Sequence, residues 1–133
     1  QFGRWLASNR LDADRFEKAA AFQQMAIASN PYSAFGYQRM AERYQRKFAL
    51  AQDRRDANLS VDYFERAVER YPTSAGLNAE YAQAASIAGE HEKASRAAET
   101  ALELDEINRR HGHRDKYLSD ELVGTLQQLA DPK

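Results

Sequence analysis

The apolar positions of this chain recur at the three- and four-residue spacing of α-helices. Tyr37, Met40, Ala41 and Tyr44 follow this spacing and therefore share one helix face. Helix-forming residues such as Ala, Glu, Gln, Leu and Arg dominate the composition. We find neither the alternation of apolar and polar residues nor the density of β-branched residues that strands show. The pattern predicts an all-α fold.

Residues with known preferences for helix ends divide this helical pattern into segments. Ser33 and Ser74 each stand two residues after a proline and are predicted to be N-caps. Asp14 with Glu17 has the pattern of a capping box, and Gly89 suits a left-handed helix end. We therefore expect helices to begin near residues 14, 34 and 75, with a turn at Gly89.

The chain contains an internal repeat. The segment "NPYSA" at residues 30–34 is echoed by "YPTSA" at residues 71–75, 41 positions later. Ala67 and Ala101 are 34 residues apart. The period is therefore 34 residues, with seven additional residues in the middle unit.

These positions resemble the tetratricopeptide repeat, a 34-residue pair of antiparallel helices. The middle unit carries the expected residue type in all eight signature positions: Tyr37, Met40, Ala41, Tyr44, Ser60, Phe64, Ala67 and Pro72. The first unit keeps Leu6, Ala7, Ala19, Ala26 and Pro31, and the third keeps Tyr81, Ala82, Ala94 and Ala101. The signature is broken by Gly3, Arg10 and Gln23 in the first unit and by Asn78, Ala85, Ala98 and Glu106 in the third.

The resemblance covers residues 1 to about 106 and implies a solenoid of about seven helices. Its repeats are predicted at residues 1–33, 34–74 and 75–108, followed by a linker at 109–118 and a capping helix at 119–130. The repeats would stack as a short right-handed superhelix.

The seven additional residues fall between Tyr44 and Ser60. They amount to about two helical turns, so they can lengthen one or both helices without changing which face points inward. We expect helix up to about Arg55 and a turn at residues 56–58. A protrusion used in recognition is the alternative.

The C-terminal segment has the features of a cap for the solenoid. Ser119 is a predicted N-cap, and Leu118 with Val123 has the spacing of a hydrophobic staple. Solenoids need a terminal helix that covers their last repeat. An apolar stripe predicted to do so consists of Leu122, Leu126 and Leu129.

Composition limits the classes of function. The chain has 133 residues, of which 29% are charged, yet its net charge is only -1. This balance argues against a nucleic-acid binder, and the absence of cysteine excludes thiolate chemistry. No apolar run is long enough to cross a bilayer. Because the sequence begins at Gln1, we expect it to be part of a longer protein.

No reactive motif stands out. A glycine-rich phosphate loop, a nucleophile elbow and an HExxH helix are all missing from the sequence. We therefore predict no catalytic, cofactor or metal residues. A basic ridge formed by Arg39, Arg43, Arg46 and Lys47 either binds phosphate or an acidic peptide, or is a solvated face with Glu42 as a partner.

The segment "INRRHGHRDKYL", at residues 107–118, has two readings. His111, His113 and Asp115 at alternate positions meet one metal ion if the backbone is extended. The repeat register instead favours a joint, with a helix that ends near Gly112 and a crossing that leads to the capping helix.

If the resemblance holds, function lies in a concave groove lined by the first helix of each unit. The groove positions, carried over by register, are Arg4, Ser8, Leu11, Phe35, Gln38, Glu42, Gln45, Arg46, Ala79, Gln83, Ser86 and Ile87. Some family members clamp a C-terminal carboxylate with Lys, Asn and Arg side chains. The matching positions here are Arg4, Ser8, Arg39, Gly76 and Glu80, so most of that clamp is missing.

The sequence therefore predicts a non-catalytic protein–protein interaction or scaffold module of bacterial type, which binds a peptide or a helix in its groove. The alternative is an accessory domain of a larger bacterial membrane enzyme that positions substrate or a partner, because "AIASNPYSA" resembles repeat tails of O-antigen ligase-type enzymes. Hydrolase or metalloenzyme activity is the least favoured reading. Phe2 and Trp5 also predict a homodimer through the open end of the solenoid. The compartment, cytoplasmic or extracytoplasmic, stays open.

Overall fold

A computed structural model describes residues 2–131, with side chains described for residues 14–131. Within this part of the chain the fold is all-α, as predicted, and contains no strand. The elements are α1 (Phe2–Ser29), α2 (Ala34–Ala51), α3 (Arg54–Arg70), α4 (Ala75–Ile87), α5 (His91–Arg110), a 3₁₀ helix (Arg114–Lys116) and α6 (Asp120–Ala130).

The first predicted helix pair is one continuous helix. α1 spans 28 residues, so the helix start predicted from Asp14 and Glu17 is wrong. Between Gly3 and Ser29 the sequence has neither glycine nor proline and is rich in helix formers. The capping-box pattern at Asp14 does not interrupt the helix, because the residues on both sides of it favour helix. The described chain therefore has six α-helices, one fewer than the two helices per repeat and the capping helix would give. A short 3₁₀ helix precedes α6.

The other predicted helix ends agree with the structure. The hydroxyl of Ser33 accepts a hydrogen bond from the backbone N–H of Phe35. Ser74 caps α4 and Ser119 caps α6 in the same manner. Gly89 has φ +82°, the left-handed conformation that glycine adopts without strain. Local cap chemistry was therefore sufficient to place these boundaries.

The turn inside the longer middle unit lies earlier than predicted. α2 ends at Ala51, Gln52 adopts a left-handed conformation with φ 57°, and Asp53 caps α3. The predicted turn at residues 56–58 is wrong, because Asp56 lies in the first turn of α3. The connection consists of Gln52 and Asp53 alone, so the additional residues lengthen the helices and form no protrusion.

Two apolar clusters hold the helices together. The first contains Tyr37 and Phe64, contributed by the antiparallel helices α2 and α3. The second contains Ala79, Ala98 and Ala101, where α4 and α5 pack against each other. Most of the signature positions quoted above for these two units are buried, which is the packing that their spacing predicts.

Helix α6 packs on α5 and α4 at the C-terminal end. Leu126 is fully buried, and Leu122, Val123 and Leu129 pack against the same cluster. Leu118, in the segment that leads into α6, is buried with them. The leucine stripe thus covers the last helix pair, as its spacing predicts.

Candidate binding surface

The side of α2 that faces away from the core lies next to the exposed strip of α4. Gln38 on α2 donates from Nε2 to Oε1 of Glu80 on α4, at 3.0 Å. Eight of the predicted groove residues lie on these two helices, and we call this set, together with Glu80, the α2–α4 face. Its residues are Phe35, Gln38, Glu42, Gln45, Arg46, Gln83, Ser86 and Ile87, together with Glu80.

Two large apolar side chains of this face are open to solvent. Phe35 is 64% exposed and Ile87 is 47% exposed. Arg46 is exposed as well, whereas Gln38, Glu42, Gln45, Gln83 and Ser86 are half-buried. The face therefore offers apolar contact area surrounded by amides and charges.

One predicted groove position, Ala79, does not contribute to this face. Ala79 is fully buried in the second apolar cluster, on the side of α4 that packs against α5 and α6, so it offers no surface to a partner. The family register places Ala79 in the groove, but the second cluster covers that side of α4 and buries it. The side chains of Arg4, Ser8 and Leu11 lie outside the described residues.

The centre of the face is a pair of carboxyl groups. Burial, together with the nearby carboxyl group of Glu42, raises the pKa of Glu80 to about 7, while the hydrogen bond from Gln38 opposes the shift. Glu80 is half-buried, and it is the only charged residue in α4. At the contact between the two helices, Glu80 therefore accepts from a neutral amide and has no ion pair among the described residues.

Glu80 was not among the predicted groove residues. Its position matches one place of the family's carboxylate clamp, where it departs from the expected residue type. The signal that would have found it is its isolation, because no lysine or arginine of α4 stands at a spacing that would neutralise it.

The predicted basic ridge of α2 is divided between two environments. Arg39 stays on the outer surface, where its guanidinium lies 5.5 Å from the Phe35 ring centre and 3.9 Å from Oε1 of Glu42. Lys47 instead turns toward α3 and α1, with its Nζ 3.4 Å from Oδ1 of Asp56 and 4.9 Å from the Phe16 ring centre. The predicted partnership with Glu42 therefore exists, but the four cations do not form one patch.

The histidine-containing segment forms a joint. α5 ends at Arg110, Gly112 has φ +69°, and the rings of His111 and His113 lie 5.8 Å apart on the exposed surface. No three His, Asp or Glu side chains within residues 14–131 are close enough together to hold a metal ion. Asp115 lies in the 3₁₀ helix, so the backbone does not have the extended form that the metal reading required.

A buried hydrogen-bond network fixes this joint. The carboxylate of Asp105 accepts from the backbone N–H of Leu118 at 2.8 Å and from Nε of Arg109, also at 2.8 Å. Arg109 in turn donates from Nη2 to the carbonyl oxygen of Leu118 at 2.9 Å, and its guanidinium lies 4.7 Å from the Tyr117 ring centre. The end of α5 is thereby tied to the residue that enters α6.

A depression of about 300 Å³ lies between this joint and the start of α4. Its lining includes Ser74, Gly76, Lys116 and Tyr117. The Ser74 hydroxyl already accepts the N–H of Leu77, so the depression is bounded by groups that have structural roles. It contains no residue of the α2–α4 face.

The N-terminal end of the described chain also exposes apolar side chains. Phe22 is 73% exposed and Met25 is 65% exposed on α1. Phe2 and Trp5, on which the prediction of a homodimer rests, lie outside the residues whose side chains are described. Among the described residues, no helix has both the length and the apolar character that crossing a membrane requires.

Compared with known proteins, the sequence matches no family model and no curated protein. The likeness to tetratricopeptide repeats therefore stays a prediction from residue positions.

Proposed function

We propose that this chain is a non-catalytic protein–protein interaction module that binds a peptide or a helix on the α2–α4 face. The observation that carries the proposal is the exposure of Phe35, whose ring lies 5.5 Å from the guanidinium of Arg39, together with that of Arg46 on the same helix and Ile87 on α4. Aromatic and arginine side chains supply most of the binding energy in protein interfaces.

The polar groups of the face suit a backbone or a polar side chain of a partner. Gln45, Gln83 and Ser86 are half-buried on helices that the core holds in place. Amide and hydroxyl groups on such rigid helices offer directed hydrogen bonds without a large loss of conformational entropy. Exposed apolar anchors within a polar rim are the usual anatomy of a binding surface.

The stacking of the helix pairs into a superhelix, with this face on its concave side, is part of the proposal. The alternative is an accessory domain of a larger bacterial membrane enzyme that positions the substrate or a partner of that enzyme. As an interaction module, the chain would bind a protein or peptide rather than a nucleic acid, since it has a net charge of -1.

Selection from a random peptide library displayed on phage tests the proposal. We expect the protein to select peptides with apolar residues next to acidic ones, because Phe35 and Arg46 are exposed on the same face. The substitution of both residues by alanine is expected to weaken a selected peptide at least about tenfold, which corresponds to about 1.4 kcal/mol.

A matched control is the double substitution Glu99→Ala and Glu103→Ala, at two exposed positions of α5. It should leave the affinity unchanged. Failure to select any peptide would count against the proposal, and so would a peptide that loses affinity in the α5 control and keeps it in the α2 variant. Circular dichroism checks that both variants remain helical.

A further inference from the structure

One side of α1 is turned away from the other helices. Phe16 packs edge-on against Tyr44 of α2, with ring centres 5.3 Å apart, and Ile27 packs against the first apolar cluster. Successive residues of an α-helix are rotated by about 100°, so Met25, two residues before Ile27, lies on the opposite side of α1. Met25 is 65% exposed, and its neighbour Phe22 is 73% exposed. α1 therefore has an inner side that packs on α2 and an outer side with two large apolar side chains in solvent.

Five exposed positions form a continuous strip along this outer side. They follow the alternating four- and three-residue spacing by which two helices pack against each other lengthwise. We call them the outer strip of α1; its residues are Asp14, Lys18, Ala21, Met25 and Ala28, and Phe22 lies beside it. Exposed apolar residues with this spacing are typical of a helix–helix interface.

The C-terminal end of the described chain is closed in a different way. There α6 covers the α4–α5 pair, and its exposed residues are polar. They are Asp120, Glu121, Gln127 and Gln128. A polar outer face is what a terminal helix needs to end a helical repeat array in water. The outer side of α1 lacks this character, so α6 has the properties of a cap and α1 those of an interface.

The two charged residues of the outer strip determine how a second copy of the chain fits against it. Asp14 and Lys18 are one helical turn apart, and neither has an ion pair within residues 14–131. Two parallel copies of α1 would place Asp14 against Asp14 and Lys18 against Lys18. In an antiparallel pair with a two-fold axis, Asp14 of each copy lies opposite Lys18 of the other, so the ion pair forms twice. Charge complementarity therefore favours the antiparallel pair.

The same ion pair sets the register of the two helices. Its two-fold axis passes α1 at residue 16, midway between Asp14 and Lys18. The middle of α1 (Phe2–Ser29) falls between residues 15 and 16, so the two helices overlap along almost their entire length. This length is about 42 Å for 28 residues. In this register Phe22 and Met25 of each copy pack against the first half of the other α1 and leave solvent.

We propose that two copies of this chain associate through the outer strips of α1, as an antiparallel two-helix interface with two-fold symmetry. The apolar contact comes from Phe22 and Met25, and the reciprocal pairs of Asp14 with Lys18 fix the orientation. The outer strip is turned away from α2, so association requires neither the α2–α4 face nor a bound peptide. It can therefore succeed or fail independently of the proposed function.

Sedimentation equilibrium of the full chain measures this association. We expect a monomer–dimer equilibrium between micromolar and sub-millimolar concentration. The double variant F22A/M25A changes only exposed side chains, so it should keep its helical circular dichroism and associate at least about tenfold more weakly. The control I107A truncates an exposed apolar side chain of α5 and should leave association unchanged. A protein that stays monomeric over this range overturns the proposal, and so does undiminished association of F22A/M25A.

An exchange of charges tests the antiparallel register. D14K places two lysines opposite each other at both pairs, and K18D places two aspartates there, so each variant alone should associate at least about tenfold more weakly. A mixture of D14K and K18D sets the lysines of one chain against the aspartates of the other, and we expect it to form a heterodimer about as stable as the unmodified homodimer. The control E99K, at an exposed position of α5, should associate normally. A mixture no more stable than its two components overturns the proposal.

A distance between two spin labels separates the antiparallel from the parallel arrangement. The chain contains no cysteine, so A26C provides a single labelling site at an exposed position beside the outer strip. Position 26 is ten residues from the axis at residue 16, so the two labels of an antiparallel dimer should lie about 30 Å apart. A parallel dimer would bring them to about 10 Å, the distance between packed helices, and this result would contradict the proposal.

Discussion

The two helix pairs α2–α3 and α4–α5 fill their interiors in different ways. The α2–α3 interior contains large side chains such as Tyr37, Val61 and Phe64. The α4–α5 interior consists mainly of alanines, including Ala79, Ala82, Ala97, Ala98 and Ala101. The α2–α3 pair therefore supplies most of the large side chains of its cluster, which α4 helps to close, whereas the α4–α5 pair depends on large side chains from outside it.

Leucines from outside the pair supply what the alanines lack. Alanine lets two helices approach closely, but it buries little apolar area, and burial contributes roughly 25 cal/mol per Å². Leu126 from α6 and Leu118 from the preceding segment are buried in the alanine cluster. The capping helix is thus part of the core of α4–α5 and more than a cover for it.

Helix α4 belongs to both interiors, and this determines which of its residues remain available for the proposed binding surface. Leu77 and Ala85 join the first cluster, and Ala75 and Ala82 join the second. Two sides of α4 are therefore buried. The strip that remains carries Glu80, Gln83 and Ile87, next to α2.

The largest effect that separates the two helix pairs should come from Leu126→Ala. Truncation of a fully buried leucine costs about 3 kcal/mol, through lost transfer free energy and a residual cavity. Urea denaturation measures the loss, and hydrogen exchange should speed up in α4 and α5 more than in α2 and α3.

The neighbouring substitution Gln127→Ala is a suitable control, because Gln127 is exposed on the same helix. It should change the free energy of unfolding by no more than about 0.5 kcal/mol. Equal acceleration of exchange in both helix pairs after Leu126→Ala would show that α6 is not a special support of the alanine core.

A smaller effect is expected from Asp105→Ala, which breaks the joint between α5 and α6. The buried carboxylate accepts from Leu118 and Arg109, so its removal leaves a buried backbone N–H without a partner, at a cost of about 1–3 kcal/mol. Thermal or urea unfolding measures the change.

The matched control for this joint is Glu106→Ala, one residue later on the same helix. Glu106 pairs with Arg110 on the exposed surface, so its loss should cost at most about 1 kcal/mol. If Asp105→Ala were as mild as this control, the hydrogen-bond network would not hold α6 in place.

Features that depend on local sequence were predicted correctly. Ser33, Ser74 and Ser119 cap helices because each hydroxyl bonds to a backbone N–H only two or three residues away. The spacing of apolar residues identifies the inner face of a helix. Phe64 and Leu126 lie on the faces predicted in this way, and both are buried.

Features that depend on competition between local signals, or on packing between distant segments, were not predicted correctly. At Asp14 the capping-box pattern competed with uninterrupted helix propensity and lost. The turn at Gln52 and Asp53 was missed because a periodic pattern does not say which of two helices an insertion lengthens. The burial of Ala79 and the hydrogen bond from Gln38 to Glu80 both depend on how the helix pairs stack, which no spacing within one helix encodes.

The most direct test of the account is an NMR titration of the labelled protein with a peptide selected from the library. The α2–α4 face has its own reporters, namely the side-chain amides of Gln38 and Gln83 and the methyl groups of Ile87. Gln127, Gln128 and Ile107 provide matched reporters elsewhere on the exposed surface. We predict that the largest shift changes occur at the first set; changes confined to the second set would contradict the assignment of this face as the binding surface.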